Sequence, residues 1–222
     1  MSVGTGAFSS VEAERGVEVS VEDDEDAYLG IGQLARVIPV SDSDAIDQSQ
    51  TEVISVYNQF SDSLSLGVIN ESESDDVEIV AEDPIEVGEE PRGDENSNGL
   101  SPGSEGAISI KCDSTGSVEL VVTFYGDTGG TTVDATRRYS ISVIDVEFVS
   151  QGNGNNEKGG GVVRITGEFP EVSLKINDED SGTISSDGDT TTIEPDGGDQ
   201  INSVTLDGVN YTRDDNSSDD GD

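Results

Sequence analysis

Oxygen donors on turns are the first chemistry this sequence offers. Asp187-Gly-Asp189 and Asp196-Gly-Gly-Asp199 stand on either side of a short alternating stretch. Carboxylates presented on Gly-containing turns are the hard ligands that calcium or magnesium takes. The ligand spacing of an EF-hand loop is absent, so Asp187, Asp189, Asp196 and Asp199 are candidates by residue type, set against solvated turn acids. The pairs Asp23-Asp24 and Asp75-Asp76 read the same way. Asn70-Glu-Ser72, Asn210-Tyr-Thr212 and Asn216-Ser-Ser218 fit the N-glycan acceptor pattern, which matters only for an exported chain. Arg92-Gly-Asp94 has the form of an adhesion tripeptide, but three residues recur by chance.

Catalysis has less to stand on. The chain contains no His, which removes a His general base, Ser-His-Asp and Cys-His pairs, and a His-Glu-x-x-His zinc site. Paired carboxylates can cleave glycosides, but zero Trp and only five Tyr and five Phe supply no evident sugar platform. No phosphate-binding or dinucleotide glycine loop is present, and Gly152-Asn-Gly154 and Gly159-Gly-Gly161 read as linker. Cys112 stands alone, cannot form an internal disulfide, and reads as a buried, inert thiol. The expectation is a protein that is not an enzyme and needs no cofactor, with calcium or magnesium the one ligand its turns leave open.

The 49 Asp and Glu against 10 Lys and Arg leave a formal charge of -39 on 222 residues. Repulsion on that scale is screened when the Debye length shrinks to about 3 Å in molar salt, so the composition points to a brine-adapted chain. It also excludes nucleic acid as a partner, because a polyanion gains nothing from an acidic surface. No run reaches the roughly 18 apolar residues of a membrane-spanning helix.

High charge with modest hydrophobicity also suits disorder, but the apolar residues keep period two, the spacing of half-buried strands. Val17 to Val21 alternates without fault, and further strands are expected at 27–31, 52–57, 64–70 and 77–81 between Ser, Asp, Asn and Gly clusters. Val118, Leu120, Val122 and Phe124 share one face; a Gly-rich turn at 126–130 returns the chain through Tyr139, Ile141 and Val143. Adjacent Val143 and Ile144 then break the phase, which predicts a bulge, a bend or a crossing between sheets. The stretch 86–106 is poor in apolar residues and reads as an exposed, mobile insertion. Residues 150–161 read as a Gly/Asn linker, followed by a smaller β unit over 162–213 with strands near 162–166, 172–176, 190–193, 203–206 and 209–212. Asp207-Gly208 marks a two-residue hairpin turn there, and 214–222 forms an acidic, disordered tail.

The N-terminal run Gly4-Thr-Gly-Ala-Phe-Ser-Ser-Val-Glu-Ala-Glu-Arg15, the alternation of Val17 to Val21 and the acidic 23–28 resemble the mature start of a family of haloarchaeal secreted proteins of unassigned function. That family is similar, more distantly, to the TasA and camelysin group of β-sandwich matrix and pilus subunits. Weaker likeness runs through 54–69 and 108–139, so the resemblance touches about the first 145 residues. It implies a leader that is absent from this sequence, ahead of an N-terminal segment 1–16 and a sandwich over 17–149. It also implies a cell-surface or extracellular place, and assembly by donation of an N-terminal strand. Phe8, Val11, Ala13, Val17, Val19 and Val21 would be the donated face, or else the first strand of the subunit's own sheet. The protease label attached to some camelysin relatives does not carry over to a chain without His.

The expected molecule is therefore all-β: an antiparallel, jelly-roll-like β-sandwich with a smaller C-terminal β unit. Its expected role is that of a halophilic archaeal surface or secreted protein, structural or adhesive, a filament or matrix subunit partnered by its own copies or by envelope components. The alternative is a monomeric surface module that binds a divalent cation or an envelope glycan.

Overall fold

The computed structural model describes residues 28–41, 51–74, 76–88, 99–149, 161–195 and 200–213. These contain fifteen strands and no helix: β1 Leu29–Gln33, β2 Val37–Pro39, β3 Thr51–Asn58, β4 Ser65–Asn70, β5 Val77–Ala81, β6 Ile85–Val87, β7 Glu105–Cys112, β8 Gly116–Asp127, β9 Thr132–Val149, β10 Val162–Thr166, β11 Glu168–Ile176, β12 Glu179–Asp187, β13 Thr191–Ile193, β14 Ser203–Leu206 and β15 Val209–Thr212. The all-β sandwich architecture anticipated from the periodicity is present.

Alternation explains the first core. Sheet order β1-β3-β7-β5 faces a sheet ordered β13-β10-β9-β8-β4-β6, and Ile54, Val56, Ile108, Ile110, Leu120, Val122, Phe124, Ile141 and Val143 fill the space between them. Two sheets that each bury alternate residues form the standard aligned sandwich. The β8–β9 hairpin has the register its sequence suggests, with Val118 opposite Ile141 and Leu120 opposite Tyr139. Its turn places Gly129 at φ +80, a conformation that favours glycine.

A second core lies on the other side of the long strand. Ile144 and Val146 of β9, Val163 and Ile165 of β10, and Val172, Leu174, Val204, Leu206 and Tyr211 of the sheet β12-β11-β14-β15 pack together. This accounts for the phase break at Val143 and Ile144. No bulge interrupts the pairings of β9 with β8 or β10. Odd-numbered residues face the first core up to Val143, even-numbered residues face the second from Ile144 onward, and the strand itself runs straight through. β2 repeats the device in parallel beside it, with Val37 in the second core and Ile38 in the first.

Several strands were not expected. β12 is almost wholly polar and exposed, so it carries no apolar alternation to read. The segment 86–106 is also corrected at its ends. Val87 pairs in parallel with Val68, Glu105 and Gly106 pair with β3, and Leu100 is buried and bridged to Leu64. Residues 89–98 of that segment lie outside the described residues, as do 150–160 of the expected linker and the tail 214–222.

Candidate functional site

Among the described residues, part of β9 has no strand beside it on one side. Ser142 N–H donates to Arg36 O at 2.8 Å, and Ile144 O accepts from Val40 N–H at 2.9 Å, so the backbone of these even-numbered residues points away from β8. On the far side of β8, Val121 O accepts from Glu71 N–H, which leaves the even-numbered residues of β8 to bond the odd-numbered ones of β9. Strand geometry alternates the direction of successive peptide groups. The N–H and C=O groups of Thr132, Asp134, Thr136, Arg138 and Ser140 therefore all point to one side. That side is taken by β2 at 142–144 and by β10 at 145–149. Along 132–141, no strand among the described residues pairs with it.

The chain path explains the opening. β1 lies in the opposing sheet beside β3, and three residues, Leu34, Ala35 and Arg36, carry the chain across to β2 at the β9 edge. The other flank of the sandwich is closed where β5 approaches β6. Among the described residues, the unpaired stretch of β9 thus lies on the flank away from β6, and the edge strand of the facing sheet on that flank is β1.

One side chain occupies the edge. Arg137 sits at an inward phase, opposite Val122 and between buried Ala135 and Tyr139. Its Nη1 donates to Thr136 O at 3.1 Å, one of the outward carbonyls, while its Nη2 is buried with no hydrogen-bond partner. An inward-pointing charge is a known way of blunting an exposed sheet edge. Arg138, one residue on, points to the opposite face and pairs with Glu119 at 2.6 Å. That pair borders a shallow depression of about 430 Å³ with Glu71 and Glu73 on its rim. Sequence reading passed over Arg137, although a cation in the inward row of Val133, Ala135, Tyr139 and Ile141 was visible as a fault in the pattern.

The expected site residues fall elsewhere. Phe8, Val11, Ala13, Val17, Val19 and Val21 lie outside the described residues, as do Asp196, Asp199, Asn216 and Arg92-Gly-Asp94. Asp187 and Asp189 belong to the β12–β13 turn, which is closed on itself by Ser186 Oγ donating to Asp189 O at 2.8 Å. Among the described residues no three His, Cys, Asp or Glu side chains form a group that could hold a metal ion. The Asn70 amide is engaged at both ends, donating to Val77 O at 3.0 Å and accepting from Ser72 N–H at 2.9 Å. Asn210 is exposed on the edge strand β15, with Thr212 beside it on the same outward face.

Cys112 is buried, and burial, with Asp113 and Asp76 adding to it, pushes its thiol up to about 11. Neighbouring Lys111 faces the other side of β7, toward Glu78 at 3.9 Å. Tyr211 is buried in the second core, its hydroxyl unpartnered, and desolvation raises its pKa far above the ordinary range. The two halves are clasped by Arg36, whose Nη2 reaches Asp207 Oδ1 at 3.1 Å while its N–H donates to Oδ2 at 2.8 Å. That contact holds the Arg36 guanidinium above its usual pKa. Asp207 and Gly208 form the two-residue hairpin turn the sequence suggested, with φ of 49 and 89.

No protein-family model matches the chain, and no curated protein matches it. Solved structures give distant likenesses. The YadV chaperone is 12% identical over 80% of this chain and 90% of its own, at a TM-score of 0.34. The CsuC-CsuE chaperone-tip adhesion subunit pre-assembly complex from archaic chaperone-usher Csu pili of Acinetobacter baumannii is 8% identical over 81% and 92%, at 0.34. The secreted serine protease VesC from Vibrio cholerae is 12% identical over 90% of this chain and 49% of its own, at 0.29. These likenesses are too remote to carry an argument about activity or partners.

Proposed function

We propose that this chain is a non-enzymatic structural or adhesive protein of the surface or exterior of a salt-loving archaeal cell. Its copies join when the N-terminal strand of one completes the sheet of the next. The open backbone of β9 from Thr132 to Ser140 carries this reading. A row of outward N–H and C=O groups is what an added strand satisfies, while its alternate side chains pack beside the inward row of β9. The Val17 to Val21 stretch has the period-two pattern such a strand needs, and the charge of -39 suits a chain working where salt screens repulsion between copies. The resemblance of the first residues to secreted haloarchaeal proteins supports the same place of action.

The test is negative-stain electron microscopy with light scattering in molar salt, on the full chain and on a version lacking Met1–Val21. Filaments or larger assemblies that vanish on deletion are the expected result. A folded monomer in both samples contradicts the reading and leaves the surface-binding alternative.

A further inference from the structure

We infer that Arg137 guards the β9 edge, and that the occupant for which it gives way is the Val17–Val21 stretch of a second copy of this chain. The inference rests on the strand-addition reading above and specifies its acceptor.

Three observations meet at this residue. First, Arg137 Nη1 holds Thr136 O, the central outward carbonyl of the five-residue open row. An incoming strand must compete with the guanidinium for that carbonyl. Second, Arg137 stands in the inward row of β9 between buried Ala135 and Tyr139, beside the row that alternate side chains of an added strand would occupy. Third, its Nη2 is buried without a partner. A buried, unsatisfied donor is costly, so the guard is held under penalty, and release to solvent relieves it. The chain has only ten Lys and Arg among 222 residues, and this one stands on a core-facing row.

The choice of occupant follows from the same geometry. Val17, Val19 and Val21 repeat at the two-residue spacing of the inward row Val133, Ala135, Arg137 and Tyr139. They would set three apolar side chains beside that row. In the single chain, Thr136 O belongs to Arg137, and the other outward groups of Thr132, Asp134, Arg138 and Ser140 have no backbone partner among the described residues. Among the described residues nothing pairs with this stretch, and residues 1–28 precede β1 to supply a strand.

Association is read by sedimentation velocity in molar KCl over a concentration series. Arg137→Val should lower the concentration at which half the chains associate by about tenfold, the scale of one relieved polar burial. Asp134→Pro removes an outward N–H that no bond among the described residues uses, a change edge strands tolerate; it should abolish association with or without Arg137→Val. Deleting Met1–Val21 from the Arg137→Val chain should abolish it too. Thermal melts establish that each variant folds, with Arg137→Thr replacing Arg137→Val should the latter not. Unchanged association in both Arg137→Val and Asp134→Pro, still lost on deleting Met1–Val21, overturns the guard and moves the acceptor elsewhere while strand addition stands. Association of Arg137→Val without its N-terminal segment overturns the occupant, because the edge is then pairing with itself. A monomer in every sample overturns both.

Discussion

Cys112 and Arg137 show how burial changes the meaning of a residue type. The thiol could have been a nucleophile, but desolvation holds it at about 11 against an ordinary 9.0. Two pKa units leave about a hundredfold less thiolate at a given pH. Native protein at pH 8 is therefore expected to react with a maleimide at least a hundredfold more slowly than protein unfolded in denaturant, and equal rates would show that the site opens readily. Burial of Cys112 agrees with the reading of a lone thiol as a core residue. Arg137 was not read, because composition treats every cation alike and only strand phase distinguishes an inward one. Asn58 escaped notice for a related reason. It is fully buried, donates to Leu100 O at 2.7 Å and Asp62 O at 3.1 Å, and accepts from Phe60 N–H, tying two loops together from a strand end. Nothing in its local pattern separates it from a turn asparagine.

At the scale of elements, most strands with apolar alternation were legible to within about two residues, the usual uncertainty of an element boundary, but β11 begins four residues before the expected 172, and β7, with Ile108, Ile110 and Cys112 in alternation, was not expected as a strand. β8, β9 and the Asp207-Gly208 hairpin are the clearest cases. β12 was not legible, since it is held by β11 alone and exposes nearly every side chain. The fault at Val143 and Ile144 was visible, but its cause is tertiary. One unbroken strand serves two cores from opposite faces, and no local rule shows which face a distant sheet will cover. Gly167 marks where the chain leaves β10 for β11 against this crossing point. Its φ is +133, and an added Cβ would stand 3.1 Å from Val143 O and 3.2 Å from Ile144 Cγ2. Gly167→Ala is therefore expected to destabilise the protein by about 1–3 kcal/mol, from backbone strain and crowding together. Chemical denaturation checks this, and a change near zero would show that the junction yields without cost.

For the molecule as a whole, the acidic surface and the open edge are complementary features. On the proposed reading, a charge of -39 would keep copies apart in dilute buffer, and a row of backbone groups unpaired among the described residues would draw them together once salt screens that charge. The candidate acceptor could not be found in the sequence, because an edge is defined by the strand that is missing beside it. The alternation of Val17 to Val21 is a feature of the sequence that lies outside the described residues, and its pairing with β9 is the proposal. Amide-resolved hydrogen exchange in molar salt, on dilute and on concentrated protein, is the most direct measurement of the central claim. In dilute protein the outward amides of Thr132, Asp134, Thr136, Arg138 and Ser140 should exchange fast, while those of Val133, Ala135, Arg137 and Tyr139, which face β8, stay protected. On concentration the outward set should become protected as well, and should remain fast in protein lacking Met1–Val21. Outward amides already protected in dilute protein, or still fast in the assembled state, would contradict the account.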